Sequence, residues 1–221
     1  MLKRIAEPDL MDSKAQAEAY ASTDFSEPHD SFVAHFQERF PEFSEGDVFD
    51  LGCGTADVII RFARAFPGTH ILGIDGAESM LAIGLKDINK HGLNGQITLK
   101  KLIISNSGLS TGKYDAVISN SLLHHLADPL LMWQVMDQCS RQGSVLYAMD
   151  LMRTDSKEKA KEFVQMYSAD APDLLKEDFY NSLLAAYTVN EIKEQLLTAK
   201  LDYLNIEVIS DRHILVWGTK Q

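Results

Sequence analysis

The sequence predicts an α/β fold: a doubly wound, mostly parallel sheet of seven strands with helices on both faces. Three observations carry this. Over residues 46–150, short β-branched or apolar runs alternate with amphipathic helical patterns, and strand–helix–strand units of this kind close right-handed onto a parallel sheet. The first of those strands runs directly into a Gly-x-Gly turn and a helix. The chain ends in two β-rich runs separated only by Ser210-Asp211-Arg212, a spacing that suits an antiparallel pair at the sheet edge.

Taken in order, 12–22 and 29–39 read as two helices joined by the Phe25-Ser26-Glu27-Pro28 turn. Strands are expected at 48–51, 70–74, 97–104, 114–119 and 143–149, each an apolar or β-branched run. Helix 56–66 places Val58, Ile59, Phe62 and Phe66 on one face, and Pro67-Gly68 stops it. A second crossover helix covers 77–90, whereas the run at 97–104 is followed by a Ser/Asn/Gly-rich loop at 105–112. The next helix, 128–140, opens on Asp128-Pro129, where Asp can cap and Pro fits the first turn. Residues 155–187 read as wholly helical, and Thr188-Val189-Asn190-Glu191 is a capping box that starts a helix to about Ala199. Strands at 203–209 and 213–218 complete the chain. With no repeat or Gly/Ser/Pro-rich linker, 1–221 is read as one domain: an N-terminal helical cap (1–45), a core (46–150), a helical insertion or lid (151–200) and a terminal strand pair (201–221).

Composition narrows the function. Hydrophobic residues are 45% and charged residues 24% of the 221, an ordinary globular balance that excludes a largely disordered chain. The net charge of −11 repels polyanions at long range, and no Lys/Arg run exceeds a pair, so nucleic acid is not the expected partner. Cys53 and Cys139 make no disulfide framework, which fits a reducing compartment. The N-terminus lacks the apolar stretch of a signal peptide, and no window has the apolar length of a membrane helix. A cytoplasmic protein without a membrane partner is the expectation.

The strongest chemical signal is Val48-Phe49-Asp50-Leu51-Gly52-Cys53-Gly54-Thr55-Ala56-Asp57. Gly52 and Gly54 permit close backbone approach, and the helix start behind them turns unpaired N–H groups toward the crevice. Asp75 ends the next strand about 20 residues on, where an acid accepts both hydroxyls of a ribose. A dinucleotide fingerprint needs a third glycine at the position Asp57 holds, and no Gly-Lys-Ser/Thr is present, which disfavours hydride transfer and phosphate-loop chemistry. Asp50, just before the loop, repels a pyrophosphate and attracts an ammonium or sulfonium. A cationic nucleoside such as S-adenosylmethionine satisfies all of these.

Asp50-Leu51-Gly52-Cys53-Gly54-Thr55, then Gly73-Ile74-Asp75 with Met80-Leu81, then Tyr114-Asp115-Ala116-Val117-Ile118-Ser119 resemble the motifs of class I S-adenosylmethionine-dependent methyltransferases. The resemblance covers about 46–150 and implies a Rossmann-like fold with S-adenosylmethionine as cofactor. It implies that Gly52, Cys53 and Gly54 lie against the methionine part, that Asp50 helps hold its amino group, that Asp75 binds the ribose and that Gly76 and Met80 border the adenine. Asn120, at the end of the fourth strand, and Tyr20, from the N-terminal helices, complete the expected cofactor contacts. One departure stands out: where family members often carry an acidic residue for the adenine amino group, this chain has Leu102-Ile103-Ile104-Ser105, leaving Leu102, Ile103 and backbone or Ser105 for that contact.

The segment Ser119-Asn120-Ser121-Leu122-Leu123-His124-His125-Leu126 lies where the methyl acceptor is expected and resembles the histidine-bearing segment of small-molecule methyltransferases. His125, and next to it His124, are the candidate general bases, against the plainer reading of a histidine bonded to loop backbone. Phe25, His29, Tyr167, Phe179, Tyr180, Asn181, Arg212 and His213 are weaker candidates whose plainer reading is packing or a solvated turn. No metal is expected, and a homodimer is allowed. The expected function is methyl transfer to O, N or C of a small metabolite; methylation of a macromolecule such as tRNA, or a non-catalytic cofactor sensor, are the rivals.

Overall fold

The computed structural model describes residues 2–7, 14–104 and 109–221; Ser105 and the start of the first predicted helix lie outside the described residues. Two helices, α1 (Lys14–Ser22) and α2 (Ser26–Arg39), precede β1 (Glu45–Leu51). The alternation then runs α3 (Asp57–Ala65), β2 (Gly68–Asp75), α4 (Glu78–Lys90), β3 (Ile97–Lys101), β4 (Tyr114–Asn120), α5 (Leu130–Cys139) and β5 (Ser140–Leu151), with a 3₁₀ turn at Leu123–His125. Three helices follow, α6 (Lys157–Tyr167), α7 (Asp173–Ala185) and α8 (Val189–Ala199), and then β6 (Asn205–Val208) and β7 (His213–Thr219).

The seven strands form one sheet in the order β3-β2-β1-β4-β5-β7-β6. Strands β1 to β5 pair in parallel, and β7 runs antiparallel to both its neighbours. The terminal pair is therefore built into the sheet, with β7 against β5 and short β6 outside it. From β1 the chain winds outward through β2 and β3, then crosses back to β4 on the other flank. A crevice opens at such a reversal, beyond the carboxyl ends of the flanking strands, here β1 and β4.

Strand alternation divides the core between the two faces. Val48, Ala116, Ile118, Tyr147 and Leu215 face one layer with Phe32, Phe36, Ile59 and Phe62. Phe49, Leu51, Val117, Leu146 and Val216 face the other, with Trp133 and Met136 of α5 and Ile192 and Leu196 of α8. Phe36 meets the rings of Phe62, Phe66 and Tyr147 at centroid distances of 4.8, 5.3 and 5.1 Å, so α2 belongs to the core layer. Removing such a ring costs about 3–5 kcal/mol. Of the expected N-terminal cap, α1 alone lies off the sheet faces, packed on α4 and α7.

Two predicted elements differ in extent. The third strand stops at Lys101 rather than 104 because its partner β2 ends at Asp75, which pairs with Lys101; beyond it Leu102 N donates to Asp75 O and the ladder has no further rung. The expected helix 155–187 is two helices, because the first closes at Ser168 and Pro172, lacking an N–H, begins the second. Thr188 and Glu191 form the reciprocal capping box as read, whereas α5 begins later than expected, with Pro129 at its N-cap and Asp128 Oδ1 accepting from Leu130 N at 3.0 Å one residue ahead of it. Among the described residues, no helix is long and apolar enough to cross a membrane.

Candidate active site

The β1–β2 register, Asp50 opposite Gly73 and Leu51 opposite Ile74, brings the glycine loop against the tip of β2. Gly52 N and Cys53 N both donate to Ile74 O at 2.9 Å. Gly54 N donates to Asp75 Oδ2 at 2.9 Å and Ala77 N to Oδ1 at 2.8 Å, so Asp75 orders both turns. Gly52 and Gly54 have φ of 75° and 51°, the left-handed region that favours glycine. A Cβ on Gly52 would lie 2.8 Å from Leu122 Cδ1, whereas a Cβ on Gly54 would meet nothing within 4 Å. The loop is tight at its first glycine and open at its second. Cys53 turns its side chain inward: a Cβ on Gly73 would lie 2.9 Å from Cys53 Cβ. Burial, with Asp50 and Asp75 nearby, pushes the Cys53 thiol well above its usual range, so it is neutral and its backbone is what lines the crevice.

Asp50 is buried, and burial first and the Asp75 charge second push its carboxyl up to about 8. Across the crevice, Ser119 Oγ donates to Leu51 O at 3.0 Å, tying β4 to β1. Asn120 follows with its Oδ1 buried and without a hydrogen-bond partner among the described residues. Ser121 then turns at φ 54°. On the β2 side, Ala77 and Met80 are buried beneath Ala17 and Tyr20 of α1. Tyr20 stacks on Phe25 at 4.4 Å, and burial together with the charges of Asp57 and Asp75 pushes its hydroxyl up to about 12. A cleft of about 140 Å³ between α1, α2 and α3 is lined by Tyr20, Phe25, His29, Thr55 and Asp57. Leu102 is half-buried beside Asp75, and Ile103 is 70% exposed.

The 3₁₀ turn after β4 carries His124 and His125, and Asp150 at the end of β5 fixes it. Asp150 Oδ2 accepts from Leu123 N at 2.7 Å, and Oδ1 lies 2.6 Å from His124 Nδ1. Burial disfavours charge on His124, but Asp150 outweighs it and the imidazole pKa is raised. His125 Nδ1 pairs with the carboxylate of Glu7, whose Oε1 accepts from Ser182 Oγ of α7 at 2.6 Å. Arg4 locks the same corner, donating from Nε to Ala185 O at 2.6 Å and from Nη2 to His124 O at 2.9 Å, with its guanidinium 4.3 Å from the Tyr187 ring centre.

The weaker candidates take structural places. His29 Nδ1 lies 2.6 Å from Asp57 Oδ2, and this bond, with Arg61 beside it, holds the Asp57 carboxyl near about 2 and clamps α2 to α3. Tyr167 bonds Asp211 under the Arg212 guanidinium. Phe179 and Tyr180 pack on the α6–α7 cluster, and Asn181 is half-buried next to them. Desolvation and Arg212 push half-buried His213 down to about 4, where it pairs neutral with Ser210 Oγ at 3.0 Å.

The core that carries this geometry is similar to known proteins. Residues 49–146 match a family model described as a methyltransferase domain. That stretch is under half of the chain, and within it the core is similar to a methyltransferase domain. A malonyl-[acyl-carrier protein] O-methyltransferase of Bacillus cereus is 31% identical over 101 residues, covering 43% of this chain and 34% of that protein. The chain thus spans about a third of that relative's length. In overall fold the domain is similar to a SAM-dependent methyltransferase from Aquifex aeolicus (TM-score 0.68, 14% identity, covering 93% of this chain and 97% of that one). It is also similar to phosphoethanolamine N-methyltransferase 2 of Haemonchus contortus in complex with S-adenosyl-L-methionine (TM-score 0.65, 17% identity, 89% of this chain and 44% of that one).

The core links the Gly54 amide to Asp75, leaves the Oδ1 of Asn120 at the end of β4 buried without a partner among the described residues, and packs Met80 under Tyr20 of α1. An open cradle at Gly54, an orphaned buried acceptor on Asn120 and a half-exposed acid at the β2 tip fit a nucleoside with an ammonium group. The sequence reading missed Arg4, Glu7, Asp150 and Ser182. Asp150 had a signal, an acid at a strand's carboxyl end like Asp75. Glu7 had none, since its partner His125 is 118 residues away.

Proposed function

We propose that the protein transfers a methyl group from S-adenosylmethionine to an oxygen, nitrogen or carbon of a small metabolite. The observation that carries this reading is the crevice at the β1–β4 reversal, where Asp50, Gly54 and Asp75 stand on one side and the His124–His125 turn on the other. Bound there, the cofactor supplies a sulfonium-activated methyl, which the acceptor attacks in line, leaving S-adenosylhomocysteine.

Each residue then has a defined task. Asp75 spends one lone pair of each oxygen on Gly54 N and Ala77 N, and the remaining lone pairs accept the two ribose hydroxyls. Asp50 and Asn120 Oδ1 accept from the amino group of the methionine part. Because Asp50 holds its proton up to about 8, an arriving ammonium releases that proton. Gly76, Met80, Leu102 and Ile103 border the adenine, with Tyr20 and α1 above Met80. The acceptor occupies the space beside His125, bounded by α7 and residues 2–7, and in-line positioning supplies most of what the displacement requires. Two free, buried cysteines support a reducing, cytoplasmic setting. The net charge of −11 supports a metabolite over tRNA.

Calorimetry tests the reading. S-adenosylmethionine and its demethylated product should bind the wild type, and Asp75→Ala should weaken both by about 2–3 kcal/mol, the scale for lost charge-assisted hydrogen bonds. Tight NADH binding with no response to S-adenosylmethionine would sink the assignment. Labelled-methyl assays on metabolite extracts then identify the acceptor.

A further inference from the structure

Glu7, His124 and His125 each offer one ligand atom, a carboxylate oxygen or an imidazole nitrogen, and these atoms lie within 4.8 Å of one another. Around a shared tetrahedral ion such donors sit at about 2.0–2.2 Å from the metal and thus about 3.4 Å from each other, so closing the set needs movements of about an ångström. The three side chains are largely buried, at 9%, 3% and 25% exposure. Asp150 stands behind His124 with Oδ1 2.6 Å from Nδ1, so the imidazole proton sits there and the Nε2 lone pair faces away from Asp150. Ser182 Oγ does the same for Glu7, donating to Oε1 at 2.6 Å and leaving Oε2 for the histidine side. Asp178, one turn before Ser182 on α7, feels the charges of both Glu7 and His125, and its Oδ2 is buried without a partner among the described residues. Against the carboxylates Glu7, Asp150 and Asp178, Arg4 supplies one permanent positive charge at this corner.

We propose that Glu7, His124 and His125 bind a divalent transition metal of the zinc class, with Asp150 and Ser182 orienting the ligands. Two imidazoles and one carboxylate leave coordination positions open, the arrangement of a site that also holds a substrate. The consequence for catalysis rests on the methyltransferase reading: the open positions take an oxygen acceptor, a hydroxyl or a carboxylate. The metal lowers the proton affinity of a hydroxyl, whose proton leaves to water. The O–CH₃ bond then forms as the CH₃–S⁺ bond breaks.

The test titrates chelator-treated full-length protein with Co(II), read by its visible d–d absorption, and with Zn(II) by calorimetry, alongside S-adenosylmethionine in the same buffer. One equivalent of either metal should bind. Glu7→Gln and His125→Ala should each weaken metal binding about ten-fold or more while S-adenosylmethionine affinity stays near wild type, each variant remaining folded with a melting temperature lowered by several degrees at most. Absence of one-to-one binding, or equal binding by wild type and both variants, overturns the site and leaves a metal-free Glu7–His125 latch. If metal is lost but S-adenosylmethionine still binds, only this inference fails. If metal binds and S-adenosylmethionine does not, the site stands and the methyltransferase reading fails.

Discussion

The two halves of the crevice are built in opposite ways. The cofactor side is assembled from consecutive strand–turn–helix units, with Gly54 and Asp75 joined across 21 residues and most of its bonds made by backbone. The acceptor side is assembled from remote pieces: Glu7 reaches His125 across 118 residues and Ser182 across 175, and Arg4 reaches Ala185 across 181. On the function proposed above, backbone amides and turn geometry would hold the cofactor, and side chains from distant segments would shape what is particular to one acceptor. The two halves touch where Gly52 lies under Leu122.

That contact is the place to break the comparison. Gly52→Ala places a Cβ at positive φ and 2.8 Å from Leu122, so it should lower both stability and cofactor affinity and abolish transfer, with a stability loss of about 1–3 kcal/mol read by melting. Gly54→Ala has no neighbour to meet and should cost about 1 kcal/mol of stability, yet its Cβ fills the cradle; a variant that binds S-adenosylmethionine like wild type would refute the cofactor half.

Asp50 sharpens the electrostatics. Its folded pKa of about 8 means that below pH 8 the unliganded protein holds a proton that the cationic ligand must expel. Affinity for S-adenosylmethionine should therefore rise up to about ten-fold per pH unit from 6 to 8 and then level off, by calorimetry. The groups facing Asp50 are Asp75 and Cys53, with Gly73 and Ile118 flanking it on β2 and β4. Asp50→Asn should flatten the slope. On the acceptor side, Ser182→Ala removes one donor to Glu7 and should lower kcat/KM about five-fold, near 1 kcal/mol, with cofactor affinity unchanged. Tyr20→Phe should change cofactor affinity least, under about three-fold, because its stacking on Phe25 survives.

The same contrast explains what could be read from the residues. The sheet and its cofactor turn were legible because strand periodicity, Gly-x-Gly and an acid at the next strand end are local patterns, as at Asp50-Leu51-Gly52 and Ile74-Asp75. The extent of β3 was not, because it is set by where its partner ends rather than by its own apolar run through Ile104. The 155–187 break was marked by Pro172 and outweighed by the surrounding helical spacing. His124 and His125 were visible as candidates, but their partners were not: Asp150 lies on a neighbouring strand and Glu7 in an irregular N-terminal segment, and no periodicity relates them.

Residues 2–7 dock on 182–187 through Ile5, Arg4 and Glu7, a junction between segments some 180 positions apart. During synthesis, β1 to β4 and the glycine loop emerge and pair well before α7 leaves the ribosome. The corner holding His125 has nothing to close against until then. Cofactor-binding competence should thus be acquired early on the folding route and acceptor competence last, with the long loop this contact closes making it the slow step.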